Sequence, residues 1–127
     1  MNCSPIIIVA GEPNSVFLEI FFKSLKSTKL KNPVILVCSL ELLKFQMKIF
    51  NFKKKINLLD TLKMEKYQLK NNSINLINVK YEKFKSKFDR ISNSSNNYIK
   101  ECFKVASKLI KSGFSNKLIN GDRKSVV

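Results

Sequence analysis

Two short apolar runs rich in β-branched residues, Ile6-Ile7-Ile8-Val9-Ala10 and Val34-Ile35-Leu36-Val37-Cys38, do most to limit what this chain can fold into. A run of this kind, without polar alternation, reads as a strand buried on both faces. Each is followed by a helical pattern. After Gly11, Pro13 occupies a favoured first helical position, and Val16, Phe17, Ile20, Phe21 and Leu25 recur at helical spacing with Glu19, Lys23 and Lys26 between them. After Cys38, Ser39 is a suitable N-cap, Glu41 falls in the first turn, and Leu40, Leu43, Met47 and Phe50 form a stripe. Two consecutive strand–helix units predict an α/β fold, a mostly parallel sheet with flanking helices.

The rest of the chain continues this scheme with weaker signals. Ile56-Asn57-Leu58-Leu59 and Ile74 to Val79 read as strands, with a short helix near Thr61 to Tyr67. Tyr81 to Ile91 alternates Phe and Lys without a clear period and reads as an irregular or edge segment. From Asn93 the pattern sharpens: Ser94, Ser95 and Asn96 are N-cap candidates, and Tyr98, Ile99, Cys102, Val105, Ala106, Leu109 and Ile110 make one face. Gly113 stands where a C′ glycine belongs. Lys117 to Gly121 reads as one more short strand running into a turn. With no internal repeat or linker, residues 1–121 are expected to form one domain or part of one. Residues 122–127, Asp122-Arg123-Lys124-Ser125-Val126-Val127, show no periodicity and match the translation, up to its stop codon, of a widely used sequencing-adapter DNA. They are expected to be a non-native, adapter-derived tail, with native sequence ending at or near Gly121.

Composition excludes several classes of chemistry. The 127 residues are 44% hydrophobic, enough for one core. The absence of His removes Ser-His-Asp and Cys-His nucleophile systems and any imidazole zinc site built from this chain alone. Gly11, Gly113 and Gly121 are too far apart for a dinucleotide fingerprint or a Walker loop. Cys3, Cys38 and Cys102 form no C-x-x-C pair and read as inert thiols in a reducing cytosol. The first residues lack a basic n-region, and no run reaches the roughly 18 apolar residues of a membrane span. A cytoplasmic location without membrane association is the expectation.

The formal charge of +15 invites a nucleic-acid partner. Of the 24 basic residues, however, 22 are Lys, spread from Lys23 to Lys124 with no dominant block beyond Lys53-Lys54-Lys55. Lys, Ile, Phe and the 14 Asn are residues that A+T-rich coding sequence favours, and Arg, the better bidentate reader of phosphate and guanine, is almost absent. A solvated lysine surface is therefore expected rather than a nucleic-acid face. The alternative is a small lysine-rich nucleic-acid-binding module carried by Lys53 to Lys55 and by Tyr81 to Phe88, whose rings could stack on bases while its lysines meet phosphates.

Chemistry is best placed at Gly11-Glu12-Pro13-Asn14. In open α/β sheets ligands bind outside the carboxyl ends of the strands, where helix N-termini present free amides and a positive dipole end. Glu12 could orient a cationic or hydroxyl-bearing ligand, although the same residues also suit an ordinary turn. Asn120-Gly121 is the second candidate, since glycine permits close backbone approach and an Asn amide both donates and accepts.

Two of these segments together resemble one family. Ile6-Ile7-Ile8-Val9-Ala10-Gly11-Glu12-Pro13-Asn14, followed by Glu19, is similar to the amino terminus of the 4-hydroxythreonine-4-phosphate dehydrogenase family, where a strand leads into Gly-Glu-Pro-Ala-Gly-Ile-Gly-Pro-Glu. Leu118-Ile119-Asn120-Gly121 looks like that family's later strand, which runs into Thr-Gly-Pro or Asn-Gly-Pro. Ser15-Val16-Phe17-Leu18 replaces the family's Gly-Ile-Gly-Pro, so the glycine-rich turn is largely lost.

The resemblance implies an incomplete part of an isocitrate/isopropylmalate dehydrogenase-like fold. It also implies oxidation of a small phosphorylated hydroxy amino acid in pyridoxal phosphate synthesis, with NAD or NADP as acceptor, a divalent metal and a following decarboxylation. The family is homodimeric, binds its nucleotide without the usual glycine fingerprint, and takes its metal-ligand histidines from later in the chain and from the partner subunit. Only Gly11, Glu12, Pro13, Asn120 and Gly121 match family positions, as substrate-pocket wall residues. No catalytic residue and no metal ligand carries over, and the chain is expected to be inactive alone.

Overall fold

The computed structural model describes residues 5–10, 17–27, 32–66, 69, 72–81, 93–113, 115 and 117–120. The apolar runs pair as strands β1 (Ile6–Val9) and β2 (Val34–Cys38), joined in the same sheet by β3 (Ile56–Leu58), β4 (Ile74–Asn78) and β5 (Lys117–Asn120). The order across the sheet is β3-β4-β2-β1-β5, and every pairing is parallel. Ile6 is in register with Val34 and with Lys117, so three strands start level. Asn75, buried on β4, reinforces this alignment: its Nδ2 donates to the Val34 carbonyl at 3.1 Å, and its Oδ1 accepts from Asn57 Nδ2 on β3 at 3.2 Å. A slip of one residue would leave these amides facing apolar neighbours.

Helices cover both faces. Helices α1 (Phe17–Ser27) and α2 (Leu40–Ile49) follow β1 and β2. They share a core with Ile8, Leu36, Cys38 and Leu76. Helix α3 (Asn93–Lys111) packs over Ile7, Val9, Ile35, Val37 and Ile77 on the opposite face. Crossover handedness accounts for the division. The chain moves one way across the sheet through β1, β2 and β3, then back through β4 to β5, and right-handed connections in opposite directions must lie on opposite faces. Met64, from the 3₁₀ turn Thr61–Lys66 between β3 and β4, accordingly packs in the α3-side core.

Local chemistry sets most boundaries. Ser39 caps α2 as expected, its Oγ accepting from the Leu42 N–H at 3.3 Å. At the other end Asn51 takes a left-handed φ of 51°, and the Asn51 and Phe52 amides donate to the carbonyls of Lys48 and Met47. This is a Schellman closure with buried Phe52 folded onto the core beside Met47. Gly113, with φ of 83°, ends α3 while its N–H donates to the Ile110 carbonyl.

Several expectations need correction. In α1 the buried row is Leu18, Phe21 and Phe22, whereas Ile20 is 47% exposed, because Phe22 stacks on Phe52 at a ring separation of 4.6 Å and sets the helix's rotation. Phe50 is 38% exposed rather than part of the buried stripe, since the helix has already closed around it. Ser94, Ser95 and Asn96 lie inside the first turn of α3, not before it. The short helix near Thr61 is a 3₁₀ turn kinked at Lys63, opened by the Asp60 carbonyl accepting from the Lys63 N–H at 2.9 Å. Tyr67 and residues 82–91 lie outside the described residues.

Candidate functional site

Parallel pairing gathers the carboxyl ends of the strands on one side, which is where an open α/β sheet binds its ligands. Val9 ends β1 and is in register with Val37 on β2 and with Asn120, the last residue of β5. The Ala10 N–H continues the ladder by donating to the Val37 carbonyl at 3.3 Å, and Ala10 is buried. The strand ends that precede the two candidate segments, over a hundred residues apart in the chain, therefore lie side by side. Gly11, Glu12, Pro13 and Gly121 themselves lie outside the described residues, as does the side chain of Asn120. The structure thus brings together the strand ends that carry the candidates.

The neighbouring end, where β2 and β4 send their connections to opposite faces, is closed by the protein's own groups. The Ser39 N–H donates to Tyr98 Oη at 2.8 Å, and the Leu40 N–H donates to Asn78 Oδ1 at 2.8 Å. With Leu42 already capped by Ser39, the amides at the start of α2 are largely consumed. An anion would find few free donors there. Sequence reasoning placed Tyr98 correctly on the buried face of α3 but gave no sign of its role. Its partner lies 59 positions earlier, a relation that no local spacing encodes.

Cys38 and Cys102 are fully buried beside this closure. Burial raises the Cys38 thiol well above its usual value, with a smaller contribution from Cys102. Burial also pushes the Cys102 thiol up to about 12, against the opposing effect of its hydrogen bond with Tyr98. The Tyr98 phenol is raised well above its ordinary value, chiefly by burial and then by the two thiols. All three groups are protonated at neutral pH, so neither thiol is a nucleophile. Inert buried thiols are what the sequence led us to expect of these two positions. Cys3 lies outside the described residues.

Among the described residues no group of three or more Cys, Asp or Glu could hold a metal ion, and the chain has no His. The described residues do not fit a metal site. No described helix is long and apolar enough to cross a membrane. Of the segment offered as a base-stacking surface, Tyr81 is 4% exposed and packs on Tyr98 at a ring separation of 5.0 Å, which removes it from contact with any base.

No protein-family model matches the chain, and no curated protein matches it in sequence. Solved structures do match. A 4-hydroxythreonine-4-phosphate dehydrogenase from Burkholderia phymatum superposes over 94% of this chain with a TM-score of 0.79 at 18% identity. The enzyme of that name from Klebsiella pneumoniae matches over 93% with a TM-score of 0.79 at 17% identity. The shared feature is the fold. The chain spans 36% and 37% of the length of these two dehydrogenases, so it reproduces a part of the dehydrogenase fold over nearly all of its own length. The structural likeness falls on the same family that Gly11-Glu12-Pro13 and Asn120-Gly121 resemble in sequence.

Proposed function

We propose that this chain is part of a cytoplasmic dehydrogenase that oxidises a small phosphorylated hydroxy amino acid, 4-hydroxythreonine-4-phosphate, in pyridoxal phosphate synthesis. The observation that carries the proposal is the superposition of the five-stranded parallel sheet on dehydrogenases of that activity over 93–94% of the chain. In this reading the adjacent ends of β1 and β5 form one wall of the substrate pocket, with Gly11, Glu12, Pro13, Asn120 and Gly121 supplying it. Glycine lets a ligand approach the backbone closely, and a carboxylate and an amide in the wall can accept and donate hydrogen bonds to substrate hydroxyl and ammonium groups. NAD or NADP would accept the hydride. The metal-binding histidines belong to other parts of a homodimer, and this chain alone turns over no substrate. Residues 122–127 are foreign in the same reading, and the native frame runs on past Gly121.

The test is a comparison of two proteins. The first is the 127-residue chain, and the second is the product of the genomic locus read through the codon for Gly121. Each is assayed for substrate-dependent reduction of NAD or NADP with and without added divalent metal. Turnover by the extended protein only, abolished by a chelator, is the expected result. Turnover by the 127-residue chain alone, or a locus that encodes Asp122 to Val127 and a stop, overturns the reading.

A further inference from the structure

The lysines that look scattered in the sequence are sorted by α3. Lys100, Lys104, Lys108 and Lys111 follow one another at spacings of four, four and three residues, so they form a single row on the outward side of the helix. All four are exposed, and together with Phe103 and Ser107 they line an open groove. Among the described residues one carboxylate answers them: Glu101 pairs with Lys104 at 3.5 Å, which leaves an excess of three positive charges along the row among those residues. Like charges one turn apart repel, and bound anions relieve that repulsion.

We propose that this face of α3 binds the phosphate backbone of double-stranded nucleic acid. The inference is independent of the dehydrogenase reading and concerns the face of the sheet opposite α1 and α2. Charge and length support this occupant. Eleven residues of helix rise about 16 Å, a length that spans about five base pairs of duplex measured along its axis, with phosphates of both strands beside it. A second copy of the chain, also carrying +15, is repelled from such a face. Lysine ammonium groups make point contacts with phosphate and lack the planar fork that reads base edges, so the binding is indifferent to base sequence.

The experiment is a salt titration of the binding of a fluorescent mixed-sequence DNA duplex to the 127-residue chain. Four phosphate contacts give a slope of about −3.6 in log affinity against log salt, a loss of about 150-fold between 50 and 200 mM. The combined variant Lys100→Gln, Lys104→Gln, Lys108→Gln and Lys111→Gln is expected to lose that part of the slope. A control removes the same charge from the other side of the molecule through Lys44→Gln, Lys48→Gln, Lys53→Gln and Lys55→Gln, and is expected to keep it. A third protein with arginine at the four α3 positions is expected to bind at least as tightly as the parent, which separates loss of charge from loss of fold. Equal weakening by the two glutamine sets, a greater effect of the control set, or tighter binding to anionic lipid vesicles than to duplex at equal phosphate overturns the proposal.

Discussion

Cys102 holds its proton in the core between α3 and the sheet, and the consequence is a measurable pH dependence. In the folded protein burial pushes this thiol up to about 12, whereas the ordinary value is 9.0. Between those values the unfolded chain releases the proton and the folded chain keeps it, so rising pH favours unfolding. The stability contributed by the buried thiol is intact below pH 9 and is lost at up to about 1.4 kcal/mol per pH unit above it. Urea unfolding of the parent and of Cys102→Ala at pH 8 and at pH 10.5 is expected to show the parent losing more stability than the variant. Equal losses would show that the thiol ionises as easily folded as unfolded. At this scale the sequence was informative about residue type and silent about partners. Ser39 was legible as a cap because capping is local, and Cys38 and Cys102 as inert thiols because nothing nearby in the chain could activate them. The Tyr98 hydroxyl was not legible, because the Ser39 amide it serves is brought to it only by the packing of α3 across β2.

Helices α2 and α3 end where the backbone turns left-handed, and these two sites among the described residues show how far local signals reach. Gly113 at φ of 83° was recognisable because glycine is the residue such a position prefers. Asn51 at φ of 51° closes α2 in the same manner with a residue that tolerates the conformation less freely. A Cβ placed on Gly113 meets nothing within 4 Å, so the cost of Gly113→Ala arises from the backbone and not from crowding. The substitution is expected to destabilise by about 1 kcal/mol, read as a lower denaturation midpoint with an unchanged urea slope. An unchanged midpoint would mean that α3 closes without the left-handed residue. The rotation of α1 was not decidable from its own sequence, since Val16-Phe17-Ile20-Phe21 and Leu18-Phe21-Phe22-Leu25 are both helical stripes. Contact with Phe52, thirty residues further on, selects the second.

On the scale of the whole molecule, parallel pairing followed from the alternation of strands and helices, but the order of strands did not. The 3₁₀ turn returns the chain so that β4 inserts between β2 and β3, and the α3 crossover carries it past two strands to the far side of β1. Neither move leaves a mark in residue periodicity. The result is that β5 forms an edge of the described sheet, with Leu118 41% and Ile119 48% exposed. These residues are in register with Ile7 and Ile8, so one projects on each face and each face of the edge strand carries an exposed apolar side chain. Such an edge pairs with another copy unless something opposes it, and here the opposing force is the charge of +15. Screening shortens the range of that repulsion from about 10 Å at 0.1 M salt to about 3 Å at 1 M, while the attraction of apolar surface remains. The 127-residue chain is therefore expected to sediment as a monomer at low salt and to associate as salt is raised. The double variant Leu118→Lys and Ile119→Lys is expected to stay monomeric throughout, with little loss of stability because neither side chain is buried. Association that persists in this variant would place the contact elsewhere, and association that weakens as salt rises would show that charge attraction, not the β5 edge, joins the copies.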